Sequence, residues 1–457
     1  MRLAPAKSFT ALRRPRSNPL AEQAWREPSH FASAGELQDW PAQFEKLLAG
    51  RRVAIVHEWF TTWAGSENVV EQFLALFPEA DLYAVIDFLP VGERPRLRGR
   101  TPITTFLQKI PGCRRFYRAL LPLMPLAVES LDLSRYDVIL SSSHAVAKGV
   151  LTRPGQVHVC YCHTPMRYAW DLQNQYLRDA KSFGALQRAA ARVFLHYLRL
   201  WDVRTAHGVD LFLANSSYVA ARIRKTYRRE SVVLHPPVDT EYFQLQERKG
   251  DYYVTASRLA PYKCVHRIVE AFAKMPSRRL LVLGAGPDES RCRKLATPNV
   301  TFCGHVPVEK LREALQGAKA FVYAAEEDFG IVMAEAQACG TPVICYAEGG
   351  SRDIVVPKKT GLLFHRQTAE DICRAVEEFE NRGLSYDPAV IRQNAERFSR
   401  ENFRKRLYRI LEQALGRPFD TGFSDGNRDA FERSAVIAEP ECCFAGGWRR
   451  DRDPDPG

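Results

Sequence analysis

The segment AEEDFGIVMAEAQACGTPVI, residues 325–344, concentrates chemistry-bearing residue types. An apolar run ends in the acidic loop Glu326-Glu327-Asp328, and the spacing predicts a helix that starts near Gly330. Phe329, Gly330 and Ile331 then offer free backbone N–H groups at the positive end of that helix, which suits a phosphate. Gly330 permits close backbone approach. Glu327 and Glu335 stand eight residues apart, one in the loop and one about a turn into the helix, and carboxylates there accept bonds from sugar hydroxyls. An acidic first turn favoured by the helix dipole accounts for the same residues equally well.

A second cluster is TASRLAPYKC, 255–264, where Arg258 and Lys263 follow a strand. Arginine would grip a diphosphate in bidentate fashion and lysine as a point charge, although loop cations of this kind are more often simply solvated. Gly284-Ala285-Gly286 also follows a strand, but Glu289 occupies the third glycine position of a dinucleotide fingerprint. In the first half, HEWFTTWAGSEN (57–68) places Gly65 between strand and helix, where backbone can face a phosphate or merely turn. CYCHTPMRYAWD (160–171) puts His163 just past a buried strand, a position more often structural than catalytic. Arg167, Tyr168 and Trp170 add a cationic and aromatic wall that suits a sugar or lipid phosphate, or packing.

These loops need a scaffold, and the pattern supplies one. VAIV (53–56), DVILSSS (137–143), VHVCYC (157–162) and VDLFLANS (209–216) read as strands, with NVVEQFLALF (68–77) at helical spacing. After the proline-bearing LHPPVDTEYF (234–243) the scheme restarts with YYVTAS, RLLVLGAG, AKAFVYAA and TPVICY, interleaved with helices VHRIVEAFAK, VEKLREALQG, GIVMAEAQAC and AEDICRAVEEFENR. Strand–helix alternation means parallel sheets covered on both faces. The expected class is α/β, with two doubly wound Rossmann-like domains. Ligands of such sheets bind outside the carboxyl ends of the strands, here in the cleft between the domains.

The 457 residues are 46% hydrophobic and 26% charged, which excludes a fibrous or wholly disordered chain. No window is long and apolar enough for a membrane span, nor is there a signal-peptide core near the start, so an intracellular location is expected. The net charge is +12, with eight basic residues and no acid between Arg94 and Arg118. That excess attracts polyanions, but no zinc-finger spacing or RNA-binding signature accompanies it, and no nucleic-acid partner is expected. Eleven irregularly spaced cysteines read as reduced, buried thiols. Residues 1–50 read as a basic disordered extension, 51–245 and 246–395 as the two domains, and 396–416 as a C-terminal helix. Residues 417–457 read as a disordered tail whose D-x-D strings hold no metal.

Taken together, EDFGIVMAE resembles the E-x(7)-E motif of the retaining family 4 glycosyltransferases, and SRLAPYK resembles their S-R-L-x-x-x-K segment. CYCHTPMRYAWD, LANSSYVAARI and HPPVDTEYF resemble the branch that includes bacterial polysaccharide mannosyltransferases. The likeness covers roughly residues 51–415. It implies a GT-B fold, the two domains facing across a cleft, with the C-terminal helix packing back on the first. It implies that Arg258 and Lys263 neutralise the leaving diphosphate and that Glu327 contacts the transferred sugar. The amides of Phe329 to Ile331 would meet sugar and phosphates, and Glu335 the ribose. Gly65 would approach the diphosphate, and His163 would sit near the reacting sugar.

The implied activity is hexosyl transfer from a nucleotide sugar, GDP-mannose first and UDP-hexoses next. The acceptor would be a glycan or lipid-linked saccharide in cell-surface polysaccharide assembly. No metal or cofactor is expected. The resemblance implies a cytoplasmic protein, with peripheral contact on the inner face of an anionic membrane as a further expectation. Rivals are a nucleotide-sugar epimerase and a non-catalytic nucleotide-sugar-binding protein. Ala64 stands where the family has a glycine, Glu58 where this branch often has Asp, Cys264 where Gly or Arg is common and His266 where Asp is frequent.

Overall fold

The computed structural model describes residues 41–415, apart from 42, 43, 45, 48, 180–183 and 382–385. Two all-parallel sheets dominate. The first contains β1 (Val53–Phe60), β2 (Asp81–Asp87), β3 (Ile103–Thr104), β4 (Val138–Ser143), β5 (Val157–Cys162), β6 (Leu211–Ala214) and β7 (Val232–Val233). The second contains β8 (Tyr253–Ala256), β9 (Leu280–Leu283), β10 (Val300–Gly304), β11 (Ala320–Tyr323), β12 (Val343–Tyr346) and β13 (Gly361–Phe364). Their orders are β3-β2-β1-β4-β5-β6-β7 and β10-β9-β8-β11-β12-β13. Both are doubly wound, and strand order reverses between β1 and β4 and again between β8 and β11. Those two reversals are where such sheets open a crevice at their carboxyl ends.

Burial explains why near-continuous apolar runs form the central strands. In β1, Val53 and Ile55 enter the core beneath helix Gly65–Leu76, while Ala54 and Val56 enter a second core on the other face. Helix Val265–Ala273 buries Ile268, Val269 and Phe272 at helical spacing against the second sheet. Helix Arg400–Leu415 buries Phe403, Leu407, Leu411 and Leu415 against Val70, Phe73 and Leu74 of the first domain. Each such side chain contributes about 1.5–3 kcal/mol, enough to hold this helix on the sheet opposite to the domain it follows. Where the chain passes between the sheets, Val238 bridges Ser399, and the Val238 N–H donates to Phe398 O at 2.8 Å.

The structure corrects the N-terminal boundary. Residues 1–40 and 417–457, with their extension and tail readings, lie outside the described residues. Phe44, however, is buried, with its ring 5.2 Å from Phe77 and 5.6 Å from Tyr408. Leu47, one helical step on, packs beside it. The extension therefore joins the first core before residue 50, because two apolar side chains at i, i+3 spacing cover the junction of helices Gly65–Leu76 and Arg400–Leu415.

Candidate active site

A cleft of about 580 Å³ opens where the two strand-order reversals meet. Gly65, Ser66, His144, His163, Thr164 and Asn215 line it from the first domain. Arg258, Lys263, Tyr323, Glu327, Phe329, Gly330 and Ile331 line it from the second. Of the donor-site and catalytic residues that the family resemblance implies, all but Glu335 reach this surface.

On the second-domain side, Lys263 forms an ion pair with Glu327, and both are largely buried. The Tyr323 hydroxyl donates to Glu327 Oε1 at 3.1 Å. Burial, and the Glu327 charge beside it, raise the Tyr323 phenol well above its ordinary range and keep it a donor. Arg258 is exposed at the cleft and meets no carboxylate among the described residues. The site therefore holds one cation already neutralised and one open to an anion.

The acidic loop is fixed by a contact that sequence reading missed. Glu327 forms an isolated parallel bridge with Gly349, and the Gly350 N–H donates to Glu327 O at 2.9 Å. Gly349 has φ +81°, and a Cβ there would lie 2.2 Å from Glu327 O. The Glu348-Gly349-Gly350 sequence after a strand was the available signal. Gly330, at φ +87°, begins helix Ile331–Ala338 in the left-handed region. The amides of Phe329, Gly330, Ile331 and Val332 meet no acceptor among the described residues and stand at the helix's positive end. Glu335, a turn further in, is half-buried without a partner among the described residues. Burial, with Asp239 nearby, pushes its carboxyl up to about 7.

The first-domain wall is a polar layer. His163 Nε2 lies 2.9 Å from Ser142 Oγ, whose other neighbour is His57 Nδ1 at 3.2 Å. Burial, reinforced by the other two histidines, lowers His163 to about 3, so its ring is neutral at ordinary pH. Gly65 is the first residue of helix Gly65–Leu76, lacks positive φ, and has nothing within 4 Å of a built Cβ. Its own fold does not demand glycine, and the open space belongs to the cleft. Ala64 N–H and Ser66 Oγ donate to Glu67 Oε2 at 3.0 and 2.9 Å, which fixes this loop.

His144 and Glu58 carry more than sequence reading gave them. Glu58 is fully buried and accepts from Ser143 Oγ and from the amides of His144, Ala145 and Ala147. His144 Nδ1 lies 2.8 Å from Glu58 Oε2, and its ring meets Trp59 edge-on at 4.8 Å. Burial opposes charge on His144, yet the Glu58 carboxylate outweighs it and raises the imidazole. Burial also opposes charge on Glu58, but His144, His57 and the Ala147 amide hold the carboxyl far below its ordinary value. The signal was a histidine directly after the polar end of a buried strand, SSSHA.

The supposed wall of Arg167, Tyr168 and Trp170 does not line the cleft. Arg167 pairs with Asp328 at 3.6 Å, and Trp170 Nε1 donates to buried Asp202 at 2.8 Å. Further contacts cross between the domains: Ser216 Oγ to Asp328 O at 2.5 Å, Tyr218 to Glu326 at 2.5 Å and Ser217 N–H to Asp353 at 2.6 Å.

Two family models match the chain: Glycosyltransferase Family 4 over residues 63–242 and Glycosyl transferases group 1 over residues 238–398. A GDP-mannose-dependent alpha-mannosyltransferase of Mycobacterium tuberculosis is 34% identical over 140 residues, 29% of this chain and 36% of that protein. A D-inositol 3-phosphate glycosyltransferase of Mycobacteroides abscessus is 31% identical over 186 residues, 36% of this chain and 42% of that protein. The chain thus spans less than half the length of these curated relatives. Among solved structures, a sucrose-phosphate synthase of Thermosynechococcus elongatus aligns with a TM-score of 0.59 at 18% identity, covering 80% of this chain and 100% of that one. Anabaena HepE in complex with UDP and glucose gives 0.58 at 15%, covering 79% and 99%. At these identities the likeness is one of fold.

Proposed function

The chain belongs to the family 4 glycosyltransferases, with their GT-B fold, and from that membership we propose that it is a retaining mannosyltransferase. Its donor is GDP-mannose and its acceptor a glycan or lipid-linked saccharide of cell-surface polysaccharide assembly, made in the cytoplasm. The observation that carries the reading is the convergence of an unpaired Arg258, the Lys263–Glu327 pair and the unbonded amides at Phe329–Val332 on the second-domain wall of one cleft. That set matches a diphosphate on the leaving side of a sugar. Mannose and GDP rest on the named activities of partial relatives.

In this reading Arg258 and Lys263 take up the charge that develops on the departing diphosphate. No metal is required for that step. Glu327, steadied by Tyr323 and the Gly349 bridge, accepts from hydroxyls of the transferred sugar. Glu335 accepts from the ribose, and binding there draws its carboxyl back toward the ionised form. Gly65 leaves room for the diphosphate beneath the first-domain loop, and His163 faces the reacting sugar. The sugar C1–O bond to phosphate breaks, the acceptor oxygen bonds to C1 on the same face, and its proton passes to the leaving diphosphate.

The membrane expectation narrows to five side chains. Of the eight basic residues from Arg94 to Arg118, Arg94, Arg96 and Arg100 pair with acids. Arg98, Lys109, Arg114, Arg115 and Arg118 pair with none among the described residues, beside exposed Phe106 and Phe116. This surface rests on anionic lipid in our reading, and flotation with anionic liposomes at low but not high salt checks it.

A thermal-shift panel of nucleotides and nucleotide sugars without metal tests the donor. GDP and GDP-mannose alone should raise the melting temperature. A shift with UDP compounds only would discard mannose. Product from donor alone would favour an epimerase, and binding without turnover on any acceptor would favour a non-catalytic role.

A further inference from the structure

His57 and Ser142 sit opposite each other in the β1–β4 pairing, and β5, which leads into His163, pairs with β4 on its far side. Their side chains make one row under the cleft. It runs from Glu67 Oε1 to His57 Nε2 at 3.5 Å, from His57 Nδ1 to Ser142 Oγ at 3.2 Å, and from Ser142 Oγ to His163 Nε2 at 2.9 Å. His57 and Ser142 are fully buried and Glu67 nearly so. Only His163 reaches the cleft, and its Nδ1 has no partner among the described residues.

A buried row of this kind has few ways to place its protons. Burial raises the Glu67 carboxyl, but the neighbouring His57, its own backbone amide and Ser66 outweigh that and lower it below its ordinary value. A carboxylate 3.5 Å away favours a proton on His57 Nε2, a buried atom that has no hydrogen-bond partner among the described residues. With a single ring proton, at Nε2, His57 presents a lone pair at Nδ1, which takes the single Ser142 hydroxyl proton. Ser142 Oγ must in turn accept from His163 Nε2–H, and His163 Nδ1 is left with a lone pair.

We propose that Glu67, acting through His57 and Ser142, is a positioning residue that fixes the tautomer of His163 and makes its free nitrogen a hydrogen-bond acceptor. The inference rests on the functional reading above only for what that nitrogen does: it receives a hydroxyl of the bound sugar or acceptor. The same Glu67 holds the Ala64–Ser66 loop through Oε2, so one carboxylate couples the loop beside the cleft to the ring within it. The other titratable groups acting on His163 are His144 and Glu58, which bond each other.

Glu67→Gln reverses the row without changing its shape. Ala64 N–H and Ser66 Oγ–H both donate to Oε2, so the amide oxygen must take that place and its NH₂ must face His57. His57 Nε2 then accepts, its Nδ1–H donates to Ser142, Ser142 donates to His163 Nε2, and His163 Nδ1 carries the proton. The experiment is ¹⁵N NMR of histidine-labelled full-length chain, with His163 assigned by its loss in His163→Asn. Wild type should show an Nε2–H ring and Glu67→Gln an Nδ1–H ring. Adding Glu67→Gln to Ser142→Ala should leave His163 unmoved, because the row is already cut. An unchanged His163 ring in Glu67→Gln overturns the proposal. Should that variant not fold, Ser142→Ala alone decides: mixed tautomers are expected, and a single wild-type tautomer overturns it. Kinetics give a second readout: kcat of Glu67→Gln should fall about tenfold or more with donor KM unchanged. A wild type inactive on every nucleotide sugar would refute the functional reading while the tautomer result stands.

Discussion

Gly349→Ala tests how Glu327 is held. The glycine sits at φ +81°, where an L side chain costs about 1–2 kcal/mol. Its new Cβ would lie 2.2 Å from the Glu327 carbonyl oxygen and 3.0 Å from the Glu327 nitrogen. Both atoms are backbone, so no rotamer relieves the overlap, and backbone shifts of this kind cost about 1–3 kcal/mol. Together the loss is about 2–5 kcal/mol. The bridge must part by about 1 Å to reach ordinary contact, which on the proposed function carries Glu327 away from the transferred sugar while Lys263 stays on its own loop. A misplacement of that size costs on the order of 100-fold in rate. Differential scanning fluorimetry and initial rates of the proposed mannosyl transfer read the two effects separately. A wild-type melting temperature and rate would refute the steric reasoning. A lowered melting temperature with a wild-type rate would show that the bridge does not place Glu327.

Lys263→Ala and Glu327→Ala should each abolish transfer while circular dichroism stays unchanged, since the pair lies at the cleft surface and not in either core; wild-type turnover in the two folded variants would remove the assignment. Cys264 has φ +54° between Lys263 and helix Val265–Ala273. Cys264→Gly should therefore relieve left-handed strain worth about 1 kcal/mol and raise the melting temperature, as long as the thiol's packing adds little. His158 is fully buried, and burial, opposed by the Gly208 carbonyl, lowers it to about 4. Its unfolded-state value lies higher, so the unfolded chain takes up the proton first: stability is full above pH 6.5 and falls as pH drops from there to about 4. Urea titrations across that window should show the loss, and a flat profile would contradict it.

The alternation of strands and helices was legible because both faces of each sheet are buried and the runs are correspondingly apolar. The acidic loop and its helix were legible because Glu327, Gly330 and Glu335 share one short segment. What escaped was assembled from distant parts of the chain. Glu58 meets the 143–147 loop across 85 or more residues, and each reads alone as an ordinary polar residue beside a strand. Gly349 looks like a simple turn until Glu327 lies against it. Phe44 and Leu47 are too few to announce a helix, and only the core they cover explains them. Gly65 faces open space at the cleft, a property that the glycine alone does not announce, since a turn and a phosphate contact ask for the same residue.

The double passage of the chain between the sheets has a mechanical consequence. Besides the Val238–Ser399 bridge, Thr240 Oγ1 reaches Glu396 at 3.2 Å and Arg400 pairs with Asp239 at 2.9 Å. The two crossings are lashed into one pin. Two separate tethers would permit sliding and torsion, whereas a single pin leaves bending as the soft degree of freedom. The latch lies on the cleft side: Ser216 on Asp328, Tyr218 on Glu326 and Ser217 on Asp353. Each couples a residue at the start of helix Ser217–Tyr227 to the second domain, two of them to the acidic loop. On the proposed function, a rotation that frees a spent nucleotide must therefore release the Asp328 and Glu326 backstops of Glu327, so product escape and disassembly of the proposed sugar-binding loop are one event.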